Sequence, residues 1–78
     1  MVSKKLKKAF GIALRDVRKK HGLSQLKVSS LSGLDRTYMS DLERGTKYPS
    51  LNTIFRLAEA MEISPVELVK KTMERLAE

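Results

Sequence analysis

The stretch LSQLKVSSLSGLDRTYMSDLERG, Leu23 to Gly45, limits what this chain can become more tightly than any other part of it. Ser24 is a good N-cap, a short hydroxyl side chain that can accept from the free amides of a helix start, and Gln25 opens a helix of about two turns. Val28 and Leu31, three apart, are expected on one face of that helix. Gly33 stands where a chain leaving a helix commonly adopts positive φ, Leu34 plugs inward, and Asp35 caps a second helix that runs to about Arg44 and stops at Gly45. Met39 and Leu42 supply its inward stripe, leaving Arg36, Thr37, Ser40 and Asp41, with Tyr38 beside them, on the opposite side. The segment therefore predicts two short helices across a tight turn, the second with a wholly polar outer face.

The rest of the chain is punctuated in the same way. A first helix is expected from about Ser3 to Lys20, with Leu6, Phe10, Leu14 and Val17 buried and Gly22 as its stop. After a loop over residues 45–49, Ser50 caps a fourth helix that turns Leu51, Ile54, Leu57 and Ala58 inward. Ser64, Pro65 and Glu67 combine an N-cap, a first-turn proline and a capping-box glutamate, so a fifth helix starts there, with Val66, Val69 and Met73 along one side. Sustained period-two alternation is missing, so no strand is assigned. The reading is an all-α, five-helix domain over residues 1–78 without linker or repeat.

Composition narrows the function classes. The 78 residues are 41% apolar, enough for one modest helical core. There are no cysteines and one histidine, so disulfides, thiolate metal sites, a metal constellation and a nucleophile–base pair are not expected, nor is a cofactor, a small-molecule substrate or an enzyme. His21 is expected at a helix C-terminus, where a partly cationic ring is favoured. No apolar run approaches the ~20 residues of a membrane span, which suits a cytoplasmic protein. Residues 1–56 carry thirteen basic and four acidic groups, +9, whereas residues 57–78 carry three and five, −2. The end that meets a polyanion is thus the N-terminal two-thirds.

The segment resembles the Xre/Cro-type helix-turn-helix proteins: phage repressors, Cro proteins and the small controller proteins of restriction-modification systems. The likeness extends through FGIALRDVRKKHGLSQ, Phe10 to Gln25, and ERGTKYPSLNTIFRLAEAMEISPVEL, Glu43 to Leu68, and the LDRTY stretch from Leu34 looks most like the controller proteins. It implies a lambda-repressor-like DNA-binding domain whose second motif helix enters the major groove by its N-terminal turn. Arg36 and Thr37 are then the first candidates for base contacts: a guanidinium fork matches guanine O6 and N7, and a threonine methyl suits thymine. Ser40 and Asp41 join them. For Asp41 two readings stand, acceptance from cytosine N4 or an orienting ion pair with Arg36 or Arg44.

In the resembling family the position of Gln25 binds the DNA backbone, and Gln25 keeps that residue type. Tyr38 is a phosphate candidate whose ring could instead pack on the protein surface. Arg44, Thr46, Lys47 and Ser50 complete the phosphate set. The resemblance also implies an internal ion pair between Arg18 and Glu43, tying the first helix to the recognition helix. Ser29, where relatives usually carry alanine, is expected to bond back to a carbonyl of its own helix.

Two copies of so small a domain, reading half-sites about 34 Å apart, would give the affinity and selectivity that one lacks. The expected function is therefore a homodimeric transcription regulator on a palindromic operator in double-stranded DNA. Residues 62–78 are expected to contribute to its dimer interface, with Met61, Ile63, Val66, Val69 and Met73 as candidates and core packing as the competing use of each. The resemblance implies control of restriction-modification genes, as activator, repressor or both, with RNA polymerase as a further candidate partner. The alternative is a protein-interaction module of antitoxin or anti-repressor type. The cationic N-terminus admits a membrane-surface or calmodulin-target reading too. Its apolar stripe is needed for the core, however, which leaves Lys4, Lys5, Lys7 and Lys8 for diffuse attraction to DNA or for solubility.

Overall fold

Short polar caps and glycine stops divide the chain into five helices, described here over residues 3–78 of a computed structural model: α1 (Ser3–Lys20), α2 (Gln25–Ser32), α3 (Arg36–Arg44), α4 (Leu51–Ala60) and α5 (Pro65–Leu76). The first two residues of the span expected as one domain lie outside the described residues. Each of the four later helices starts on a side chain that accepts from its first-turn amides: Ser24 from Lys27, Asp35 from Thr37 and Tyr38, Ser50 from Thr53, and Ser64 from Val66. Gly33 and Gly45 end α2 and α3 at φ 72° and 76°, a left-handed conformation that costs glycine nothing. Glu62 takes the same conformation, φ 57°, between α4 and α5, where the sequence offers no glycine.

Phe10, Leu14, Val17, Val28, Met39, Leu42, Leu57, Ala58, Ala60, Met61 and Leu68 form one core drawn from every helix. α1 runs through its middle. On one side it meets α3 at Gly11, where an added Cβ would sit 2.5 Å from the Leu42 carbonyl oxygen and 2.7 Å from that of Glu43. On the other it packs along α5, and Arg75 there donates to Asp16.

Several expectations change. Leu31 is exposed, and the buried face of α2 is Val28, Ser29 and Ser32. The two serines are inside because the turn needs donors and acceptors: Ser29 Oγ donates forward to the Leu34 carbonyl, not back along its own helix, and Ser32 Oγ accepts from the Leu34 amide at 3.2 Å. Leu51, expected inward, is 71% exposed, because Leu57, Ala58 and the turn residue Met61 fill that part of the core. Leu6 is only half-buried. Glu67 closes no capping box; its carboxylate turns to Lys20, 3.7 Å away at the end of α1, and to His21, 3.4 Å away in the turn that follows.

Candidate nucleic-acid interface

Three helices converge on one carboxylate. Glu43 of α3 receives Arg18 Nε at 2.6 Å and Nη2 at 2.9 Å from α1, and the Gln25 side-chain amide at 3.0 Å from the start of α2. The remaining Arg18 nitrogen donates to the Leu23 carbonyl at 2.8 Å, so the loop before α2 is fixed as well. The side chains of Arg18 and Glu43 are 9% and 5% exposed. Hydrogen bonding to Glu43 raises the Arg18 pKa above its ordinary value against the opposing effect of burial, so the guanidinium stays charged at every pH a protein meets. A buried bidentate pair contributes more to orientation than to net stability. What it orients here is α3 relative to the start of α2.

That arrangement presents the outer face of α3. Arg36 and Thr37 occupy its first turn, exposed, and neither side chain has a hydrogen-bond partner among the described residues. A cation there opposes the helix dipole, an arrangement folding does not require. One turn later the face is already internally bonded. Arg44 donates to Ser40 Oγ at 2.9 Å and pairs with Asp41, whose carboxylate is thereby held by Arg44 and not by Arg36. Of the two readings of Asp41 the free chain therefore adopts the orienting pair. Thr46 Oγ1 donates to the Asp41 carbonyl at 3.2 Å, and Ser50 Oγ is occupied in capping α4 and bonding Thr53. These two hydroxyls are less available to phosphate than their position in the chain suggests.

Tyr38 packs its ring against the core and donates its hydroxyl to the Tyr48 carbonyl at 3.3 Å, with Thr53 Oγ1 also 3.3 Å away. It braces α3 against the following loop while remaining half-exposed. Lys47 is exposed in that loop, and Tyr48 is exposed beside it. Gln25 is half-buried and anchored to Glu43, which leaves it one amide hydrogen for an outside acceptor.

Sequence reasoning missed two residues behind this surface. Gly11 permits the close approach of α1 to α3, but a glycine in mid-helix gives no sign of its neighbour. Arg56 of α4 donates to the Ser32 carbonyl at 3.0 Å, closing the C-terminus of α2 beside Gly33. Its distance in sequence hid that role.

Away from α3, the outer sides of α4 and α5 leave Leu51, Phe55, Val66, Val69 and Met73 exposed along an apolar groove. Met61, a dimer candidate on sequence grounds, is 3% exposed and belongs to the core, because the turn after α4 folds it under. Ile63 is half-buried against the core. No described helix is long and apolar enough to cross a membrane.

The helix-turn-helix family matches residues 14–68. An uncharacterised helix-turn-helix transcriptional regulator, y4dJ, of Sinorhizobium fredii is 39% identical over 88% of this chain and 90% of its own length. The control protein C.BamHI of Bacillus amyloliquefaciens is 39% identical over 81% of this chain and 79% of its own. Among solved structures, the restriction-modification controller protein C.AhdI of Aeromonas hydrophila superposes with TM-score 0.76 at 47% identity, covering 80% of this chain and 94% of that one. With the geometry of α2 and α3, these likenesses establish that the chain belongs to the helix-turn-helix family of transcription regulators that includes the restriction-modification controller proteins.

Proposed function

We propose that the protein is a sequence-specific transcription regulator that binds a palindromic operator as a homodimer and controls restriction-modification genes. The observation that carries this reading is the free pair Arg36 and Thr37 on the first turn of α3, held outward by the buried Arg18–Glu43–Gln25 cluster. A module binding only proteins has no need for an unpaired arginine at the positive end of a helix. The groove of α4 and α5 is the dimer surface, with Leu51 and Phe55 taking the part that sequence assigned to Met61. Arg36 and Thr37 read bases; Gln25, Lys47 and the outer nitrogens of Arg44 hold phosphates. Cytoplasm is where such a regulator meets its operator.

Sites selected from a random DNA pool should be palindromic, and the free protein should sediment as a dimer at micromolar concentration. Arg36→Ala should weaken operator binding by about 1–3 kcal/mol and flatten the preference at one base pair in each half-site. Gln25→Ala should weaken all sequences alike. An unchanged site ranking in Arg36→Ala, with folding verified by circular dichroism, removes base readout from the start of α3.

A further inference from the structure

The first two turns of α1 hold Lys4, Lys5, Lys7 and Lys8 and no acidic residue. Among the described residues no carboxylate lies within ion-pair distance of any of the four. The arrangement is locally unfavourable. Cations at the positive end of a helix oppose its dipole, and Lys4–Lys7, Lys4–Lys8 and Lys5–Lys8 are like charges three and four apart. Packing does not demand them, since Lys4, Lys5 and Lys8 are exposed.

Their position supplies a reason. A Cβ on Gly45, the residue that ends α3, would sit 3.0 Å from Lys8 Cα and 3.1 Å from its Cγ. Lys7 Nζ stands 5.1 Å from the centroid of the Tyr48 ring, which steadies the ammonium while leaving its N–H groups free. The lysine turns thus border the loop that carries Lys47, and they extend its positive charge around the C-terminal end of the recognition helix. Insertion into a membrane surface is closed to them, because Phe10, Leu14 and Val17 of the same helix are committed to the core.

We infer that Lys4, Lys5 and Lys8 form a second phosphate-binding stretch, continuous with Lys47, that grips the DNA backbone beside each half-site without reading sequence. The inference rests on the DNA-binding reading above. It gives the unfavourable charges of α1 a purpose: what weakens the free helix is relieved on a polyanion.

The test is the full chain carrying Lys4→Gln, Lys5→Gln and Lys8→Gln, titrated with random-sequence duplex across a salt series. Each phosphate contact adds about 0.9 to the steepness of log affinity against log salt, so the slope should become shallower by about 2–3. The melting temperature should stay level or rise, and a triple arginine variant should restore the slope. An unchanged slope in a glutamine variant that melts cooperatively overturns the inference. So does a lowered melting temperature that arginine leaves uncorrected, since the lysines would then be structural. Wild type with no salt-dependent affinity for DNA removes the DNA-binding reading and this inference together; a steep wild-type slope matched by the variant removes the inference alone.

Discussion

α1 is fastened on its two sides in opposite ways. Toward α3 the seam is buried and close: Gly11 lets backbone meet backbone, and a bidentate pair at 9% and 5% exposure locks the angle. Toward α5 the apolar packing is more extensive, with Leu68 fully buried, but the polar fastenings lie at its edge: Arg75 on Asp16, with each side chain about a third exposed, and Glu67 between His21 and Lys20. Hydrogen bonding to Asp16 and Glu78 raises the Arg75 pKa, yet water screens what the pair adds to stability. The difference shows which orientation the fold must hold fixed. The angle of α3 is set by buried polar bonds with fixed directions, whereas α5 is placed by apolar packing with its ion pairs at the rim.

The largest test of that contrast is Arg18→Ala. It leaves Glu43 buried with Gln25 as its sole remaining partner among the described residues and should cost about 3 kcal/mol in denaturant unfolding. Removing both Arg18 and Glu43 should recover part of the loss, and a double variant no better than the single one breaks the pairing argument. Gly11→Ala comes next. Its methyl group must push α1 from the α3 carbonyls, at a cost of about 1–3 kcal/mol, and operator affinity should fall further than stability explains. Asp16→Ala should shift the melting temperature far less than either, and molar salt should erase the difference from wild type. If Asp16→Ala matches Arg18→Ala, the two seams are equivalent and the contrast is void. The smallest effect belongs to Glu62→Gly. Relief of the left-handed conformation at φ 57° is partly offset by the freer unfolded chain, so a gain of a few tenths of a kcal/mol is expected, read by thermal melting.

The ends of the helices were legible in the sequence because they are local. Ser24, Asp35, Ser50 and Ser64 bond amides two or three residues away, and glycine at Gly33 and Gly45 answers a backbone angle rather than a distant neighbour. Which face of each helix is buried was less legible where the pattern is broad. α4 is apolar at Leu51, Ile54, Phe55, Leu57 and Ala58, more than one face can use, so only packing decides that Leu51 and Phe55 look outward. In α2 the usual rule is reversed, since two buried serines serve the turn while Leu26 and Leu31 face water. In the interface the outward pair Arg36 and Thr37 could be read from spacing. The restraint of Asp41 by Arg44, of Tyr38 by the Tyr48 carbonyl and of Gln25 by Glu43 depends on side-chain geometry that spacing does not specify.

The bond from Arg56 to the last carbonyl of α2 has a consequence for operator architecture. α4 carries half of the apolar groove on one side and is bonded to the turn of the motif on the other, so the proposed dimer, if built on that groove, would behave as a stiff calliper. Its two heads would then be unable to swivel separately to follow the duplex. Inserting one base pair at the operator centre turns the outer half-site by about 35° and moves it by about 3.4 Å, which a stiff calliper cannot track. Such an operator should be bound by one head at a time, with the affinity of a single half-site, whereas loosening the link with Arg56→Ala should partly restore two-headed binding to the misphased DNA.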